Sequence, residues 1–224
     1  MTAPLWRPSD AAIAKANLTA FTGFVNERHN TRLGDYDDLH RFSVTRMADF
    51  WSAVWDFCGV IGDKGPRPWL IDGDKMPGAR FFPGASLSFA ENLLRRRDSG
   101  DALVFRGEDG HTVRLSHGAL YDQVSRLGQA LERMGVGPGD RVAAIMPNIP
   151  ETIIAMLAAN SLGAVWSSCS PDFGVTGVLD RFGQIEPKIL IACDGYSYNG
   201  KTIDLRDKLA RITEQLPSVK QLVI

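Results

Sequence analysis

The sequence predicts an α/β fold, a mostly parallel sheet with flanking helices, preceded by an irregular helical segment. Three observations carry that expectation. Beyond Arg141, short apolar runs at about 141–146, 164–169, 188–193 and 219–224 alternate with helical stretches at about 151–162, 175–185 and 204–215. Strand runs joined by helices build a parallel sheet covered on both faces. Within this region, residues 135–174 read strand, Pro-flanked turn, helix, glycine stop, strand and polar loop, and that length of connection forces a parallel crossover. Residues 1–97 lack the rhythm: they are aromatic-rich and, between Gly59 and Gly84, punctuated by glycine and proline.

In the N-terminal segment, one helix is expected over about Asp10 to Glu27, with Ile13, Asn17, Phe21 and Phe24 or Val25 near one face. A second is expected over about Val44 to Phe57, where Met47, Phe50, Trp51, Val54 and Cys58 keep the three-four spacing of a buried stripe. Trp51 and Trp55 on such a stripe are packing residues, because aromatics bury more surface than aliphatics. The regular elements are few and separated. Residues 1–97 are therefore expected to wrap as a segment, and 98–224 to form the first part of a larger domain.

Residues 101–115 read as a hairpin, Leu103–Arg106 and Thr112–Leu115 flanking an Asp-Gly turn. Ser116 is placed to cap a helix carrying Leu120, Val124, Leu127, Leu131 and Met134, closed by Gly135. Arg141 to Met146 has the continuous apolar character of a strand buried on both faces. Pro150 and Glu151 suit a first helical turn, since proline lacks only a donor that would be orphaned there and the acid meets the positive dipole end. Gly163 is expected to end that helix in the left-handed region. The final run closes the chain on a fresh strand, and such an open edge predicts that the natural sequence continues past Ile224.

Composition excludes several classes. With 25 Lys+Arg against 26 Asp+Glu among 224 residues, the net charge of −1 draws neither nucleic acid nor an anionic membrane. Arg95-Arg96-Arg97 is too short for a nucleic-acid patch and reads as a solvated helix end, and Asp37-Asp38 as a solvated acidic pair. Cys58, Cys169 and Cys193 are odd in number and widely spaced, which argues for reduced thiols rather than a disulfide framework or a zinc site. The opening MTAPLWRPSD has no apolar signal core, and Ile149 to Trp166 is interrupted by Pro150, Glu151 and Asn160. A cytoplasmic, non-membrane protein is expected. His29, His40, His111 and His117 sit at no metal-ligand spacing, and no G-x-S-x-G elbow offers a serine nucleophile. No catalytic residue and no metal ligand is assigned in this chain.

Gly195 to Thr202, GYSYNGKT, matches G-x-x-x-x-G-K-[ST] letter for letter, with a strand expected before it and a helix after. A phosphate loop would place Lys201 on the β/γ-phosphates and Thr202 on magnesium. Against that, no later strand ends in an aspartate to complete the magnesium site, and two tyrosines crowd the loop. An ordinary connection and a loop serving another ligand remain alongside it.

Residues 135–174 closely resemble the second core motif of the adenylate-forming enzymes, which include the acyl-CoA synthetases. Their ending, SSCSPDFG at 167–174, together with DGYSYNGK at 194–201, is similar to the acetoacetate–CoA ligase branch of that family. Phe81 to Leu94 resembles the lead-in segment of short-chain acyl-CoA synthetases, with Ser88 where asparagine is usual. Leu115 to Leu120 resembles the first core motif, with His117 and Ala119 as departures. The likeness spans nearly the whole chain, in the expected order.

The resemblance implies an acid–CoA ligase using ATP, Mg²⁺ and CoA, with small-molecule substrates and room for a homo-oligomer. A carboxylate attacks the α-phosphate of Mg·ATP, releasing pyrophosphate, and the CoA thiol then displaces AMP from the acyl-adenylate. The family's phosphate loop, acidic metal ligand, ribose-binding aspartate and mobile lysine have no counterpart here, so the chain alone is expected to be inactive. Two loops would approach the nucleotide end of CoA: Ser170, Pro171 and Asp172 in the first, Tyr198 and Lys201 in the second. Tyr198 departs from the relatives' pattern, while Lys201 keeps a positive charge for the CoA 3′-phosphate. An acetyl- or propionyl-CoA synthetase, a non-catalytic module of the same fold and a P-loop NTPase are the alternatives.

Overall fold

A computed structural model describes residues 5–224, so the first four residues of the opening MTAPLWRPSD lie outside the described part. The chain divides into two compact units, 1–87 and 88–224. In the first, the expected single helix over 10–27 is two, α1 (Asp10–Ala14) and α2 (Asn17–His29), broken where Ala16 turns extended (ψ 139°). The reason is burial: α1 covers nothing, whereas α2 buries Phe21 and Val25. A helix that the sequence reading did not identify follows, α3 (Tyr36–Thr45), capped by the Asp35 side chain on the Asp38 amide. The acidic pair at 37–38 is thus a first helical turn, where carboxylates meet the positive dipole end. Asp38 also accepts from the Gly34 amide at 3.0 Å and pairs with Arg41. Helix α4 (Met47–Phe57) starts three residues later than the periodicity implied. Phe21, Val25, Leu39, Phe42 and Ala53 form this unit's core, with Phe50 edge-on to Phe21. A short antiparallel pair, β1 (Leu70–Ile71) and β2 (Arg80–Phe81), completes it.

The second unit opens with α5 (Phe89–Leu93), then the hairpin β3 (Asp101–Arg106) and β4 (Thr112–Ser116). The Ser116 hydroxyl accepts from the Ala119 amide and starts α6 (His117–Arg133), as its sequence implied. The alternation that follows is β5 (Arg141–Ile145), α7 (Pro150–Ser161), β6 (Val165–Cys169), α8 (Val175–Ile185) and β7 (Ile189–Ala192). Gly163, at φ 70°, closes α7 in the backbone region that penalises a Cβ. Then come β8 (Gly195–Tyr198), β9 (Lys201–Asp204), α9 (Arg206–Glu214) and β10 (Gln221–Val223).

The sheet is four-stranded, parallel throughout, in the order β10-β7-β5-β6. Its central strands β5 and β7 are buried because alternate residues feed two cores. Val142, Ala144, Ile189 and Ile191 pack with Leu131, Leu157 and Ala158 of α6 and α7 on one face. Ala143, Ile145, Leu190 and Ala192 pack with Val178, Phe182, Leu209 and Ile212 of α8 and α9 on the other. Both faces are covered, as the uninterrupted apolar runs required. The amino ends of the strands are tied structurally. Lys188 Nζ donates to Asp140 at 2.9 Å and to the Gly135 carbonyl, and Arg141 donates to the Ile185 and Glu186 carbonyls. No helix among the described residues is long and apolar enough to cross a membrane.

Candidate ligand cleft at the carboxyl ends of the sheet

Neighbouring strands β5 and β7 send the chain to opposite faces, β5 through α7 and β7 through α9. Where adjacent connections diverge in this way, their carboxyl ends leave a crevice, the usual ligand position of open α/β sheets. The loops after β5, β6 and β7 and the tip of the β3–β4 hairpin line a cleft of about 470 Å³ there. Its walls include Pro147, Asn148, Ser170, Pro171, Asp172, Tyr196 and Tyr198, with Glu108, Asp109 and His111 from the hairpin tip.

Ser170, Pro171, Asp172 and Tyr198 therefore share one cleft. Lys201 faces a contiguous depression of about 580 Å³, together with Tyr198, Glu108 and Asp109. The two loops lie side by side because β6 and β7 flank β5, whose Ile145 is in register with both Cys169 and Ala192. Cys169 and Cys193 consequently do not end adjacent strands: β5 lies between them. Burial pushes both thiols above their ordinary value, which makes them small core residues and poor nucleophiles at neutral pH.

The phosphate-loop alternative fails on geometry. Gly195–Asp204 is a two-stranded hairpin, with Tyr196 opposite Ile203 and Tyr198 opposite Lys201. Asn199 (φ 50°) and Gly200 (φ 70°) form its two-residue turn, both in the left-handed region. Lys201 and Thr202 lie in β9, and α9 begins only at Arg206, so neither their amides nor their side chains sit at a helix start to cradle phosphate. The signal for the hairpin was in the letters: Asn-Gly is the favoured pair for this turn.

Two residues that hold the 170–174 wall of the cleft were missed by sequence reasoning. Tyr196 Oη donates to Asp172 Oδ1, while Ser170 Oγ donates to Asp172 Oδ2 at 2.8 Å. From α9, Lys208 Nζ donates to the Pro171 carbonyl at 2.6 Å and to the Phe173 carbonyl at 3.2 Å. The donated hydrogen bonds of Tyr196 and Ser170, with the charge of Lys208, hold the Asp172 carboxyl below its ordinary value. That carboxylate in turn pushes the Tyr196 phenol up to about 12, so it stays a donor. Nothing in local spacing links positions 172, 196 and 208. The cleft and its neighbouring depression can bind a mixed polar ligand, offering aromatic and amide surface, the bases His111 and Lys201, and the acids Glu108, Asp109 and Asp172.

The family model of the AMP-binding enzyme matches residues 90–224. The chain belongs to that family. Among AMP-binding enzymes, it is 54% identical to acetoacetyl-coenzyme A synthetase of Rhizobium meliloti (strain 1021) over 213 residues, 95% of this chain and 33% of the relative. It is 36% identical to acetoacetyl-CoA synthetase of Xenopus tropicalis, over 98% of this chain and 33% of that protein. In three dimensions it is similar to the acetoacetyl-CoA synthetase from Streptomyces lividans, with a TM-score of 0.91 at 40% identity, covering 99% of this chain and 35% of that one. The chain thus spans about a third of the length of the relatives it matches. The adenylate-forming fold expected from the 135–174 motif is confirmed by this similarity.

Proposed function

We propose that the chain works as part of an ATP-dependent acid–CoA ligase of the relatives' length, joining acetoacetate to CoA. The observation that carries this reading is the superposition of nearly the whole chain on an acetoacetyl-CoA synthetase, at 40% identity. In the reaction, an acetoacetate carboxylate oxygen attacks the α-phosphorus of ATP and pyrophosphate leaves. The CoA thiolate then attacks the acyl carbonyl of the adenylate, and AMP leaves. We assign magnesium to the ATP that the complete ligase would bind. This chain's share is the cleft at the carboxyl ends of the sheet, which we assign to the nucleotide end of CoA.

There, the Ser170–Pro171–Asp172 loop forms one wall and the exposed Tyr198 the other, offering a ring face to a base. Lys201 offers a point charge to the 3′-phosphate. Free thiols at Cys169 and Cys193 suit a reducing compartment, and we place the ligase in the cytoplasm. The decisive assay has two halves: acetoacetate-dependent exchange of pyrophosphate into ATP, and CoA-dependent thioester formation. Both are expected with acetoacetate in the complete ligase, and exchange with other short acids but not acetoacetate would overturn the substrate. For the cleft, Lys201→Ala should raise the KM for CoA ~10-fold, the scale of one charge-assisted contact. It should leave dephospho-CoA unaffected, and an equal loss with both would remove Lys201 from the phosphate.

A further inference from the structure

Asp172 occupies an unusual position for a ligand-contacting group: both its carboxylate oxygens already accept hydrogen bonds from the protein. One is taken by the Tyr196 phenol and the other by the Ser170 hydroxyl, and the Asp172 amide returns a contact to Ser170 Oγ at 3.3 Å. The same loop is gripped from beneath, where Lys208 holds the Pro171 and Phe173 carbonyls. Phe173 is also covered by the Arg181 guanidinium, 4.1 Å from its ring centre. Tyr196 and Lys208 both come from the β7–β10 connection, one from β8 and one from α9. Two independent side chains of one connection thus fasten the loop of another.

We propose that Tyr196 and Lys208 are positioning residues that latch the 170–174 loop to the 195–204 hairpin and to α9, and that Asp172 is the catch of that latch and not a contact to ligand. The inference rests on the assignment of the cleft to CoA. Its physical content is pre-organisation. A five-residue loop with an exposed surface otherwise samples many conformations, and ordering it at the moment of binding would be paid in affinity. Fixing the loop in the free protein removes that cost for CoA. Adenylate formation does not use CoA and is indifferent to the latch.

That division supplies the test. In the complete ligase, Tyr196→Phe keeps the ring and removes only the donor. The KM for CoA is expected to rise ~5-fold, in the range of one hydrogen bond to a charged acceptor, with kcat and the acetoacetate-dependent pyrophosphate exchange rate unchanged. Lys208→Met should shift the same KM in the same direction. An unmoved KM in both variants overturns the proposal, and so does an exchange rate that falls in step with thioester formation, which would mark general structural damage. If the unsubstituted ligase makes no acetoacetyl-CoA, the functional reading fails separately. Amide hydrogen exchange at 172–174 in this chain then decides the latch: faster exchange in Tyr196→Phe with the hairpin unchanged supports it, and no change at 172–174 overturns it.

Discussion

His29, at the end of α2, buries its Nε2 with no hydrogen-bond partner among the described residues, while its Nδ1 lies 3.5 Å from Arg46 Nη2. Burial holds its pKa below the ordinary 6.5, against the pull of Asp49, and the nearby Arg46 and Arg28 push the same way as burial. The sign follows directly. The folded state binds fewer protons than the unfolded chain once pH drops through the unfolded value, so stability of this helical unit falls with falling pH. Urea midpoints read by tryptophan emission are expected to decline from about pH 7.5 to 5.5, bracketing the ordinary histidine value. In His29→Gln the decline should flatten, and an equal slope in both proteins would refute the assignment. The residue scale was partly legible. Ser170, Pro171, Asp172 and Tyr198 were named from the sequence and lie in one cleft, yet Tyr196 and Lys208 were not named. Their partners are 24 and 37 positions away, a separation that no local pattern encodes.

At the scale of elements, the β8–β9 hairpin turns on Asn199 and Gly200, both at positive φ. A Cβ at Gly200 would meet no atom within 4 Å, so Gly200→Ala isolates the backbone term from any clash. The expected cost is about 1 kcal/mol for an L-residue in the left-handed region, seen as faster amide exchange across Gly195–Asp204. An unchanged hairpin would mean the turn tolerates a different type. This element also shows why a motif match misleads. GYSYNGKT satisfies the phosphate-loop letters, but Asn-Gly at its centre fixes a two-residue turn, and strand pairing then consumes the backbone donors that a phosphate would need. The α1–α2 break and the α3 start mark the complementary failure. Periodicity predicted one unbroken helix over 10–27, which breaks at Ala16 after the uncovered α1, and missed one whose cap, Asp35, and buried pair, Leu39 and Phe42, become meaningful only in the packed cluster.

At the scale of the whole molecule, the sheet of the second unit is the rigid part on which the loops ride. Phe182 is 1% exposed and fills the face between α8 and the sheet. Phe182→Ala is expected to cost ~3–5 kcal/mol, the transfer loss plus the cavity left behind. Urea denaturation should show a lowered midpoint at unchanged m-value, whereas a drop below ~1.5 kcal/mol would mean the helix collapses into the space. The two ends of the sheet divide the labour. Lys188–Asp140 and the Arg141 contacts tie the amino ends, and the carboxyl ends carry the cleft.

The letters alone determined the alternation from Arg141 onward, the burial of β5 and β7 on both faces, the Ser116 cap, the Gly163 stop and the family. Each rests on spacing within a few residues: apolar runs, a capping hydroxyl, a glycine at positive φ. Tertiary structure decided the strand order, which inserts β5 between β6 and β7, and with it the crevice where their loops converge. It also decided that Asp172 is claimed from both sides by Ser170 and Tyr196. Strand order and such pairings depend on which surfaces meet after the chain collapses. They are set by the sum of many weak long-range contacts, and no single stretch of sequence records that sum.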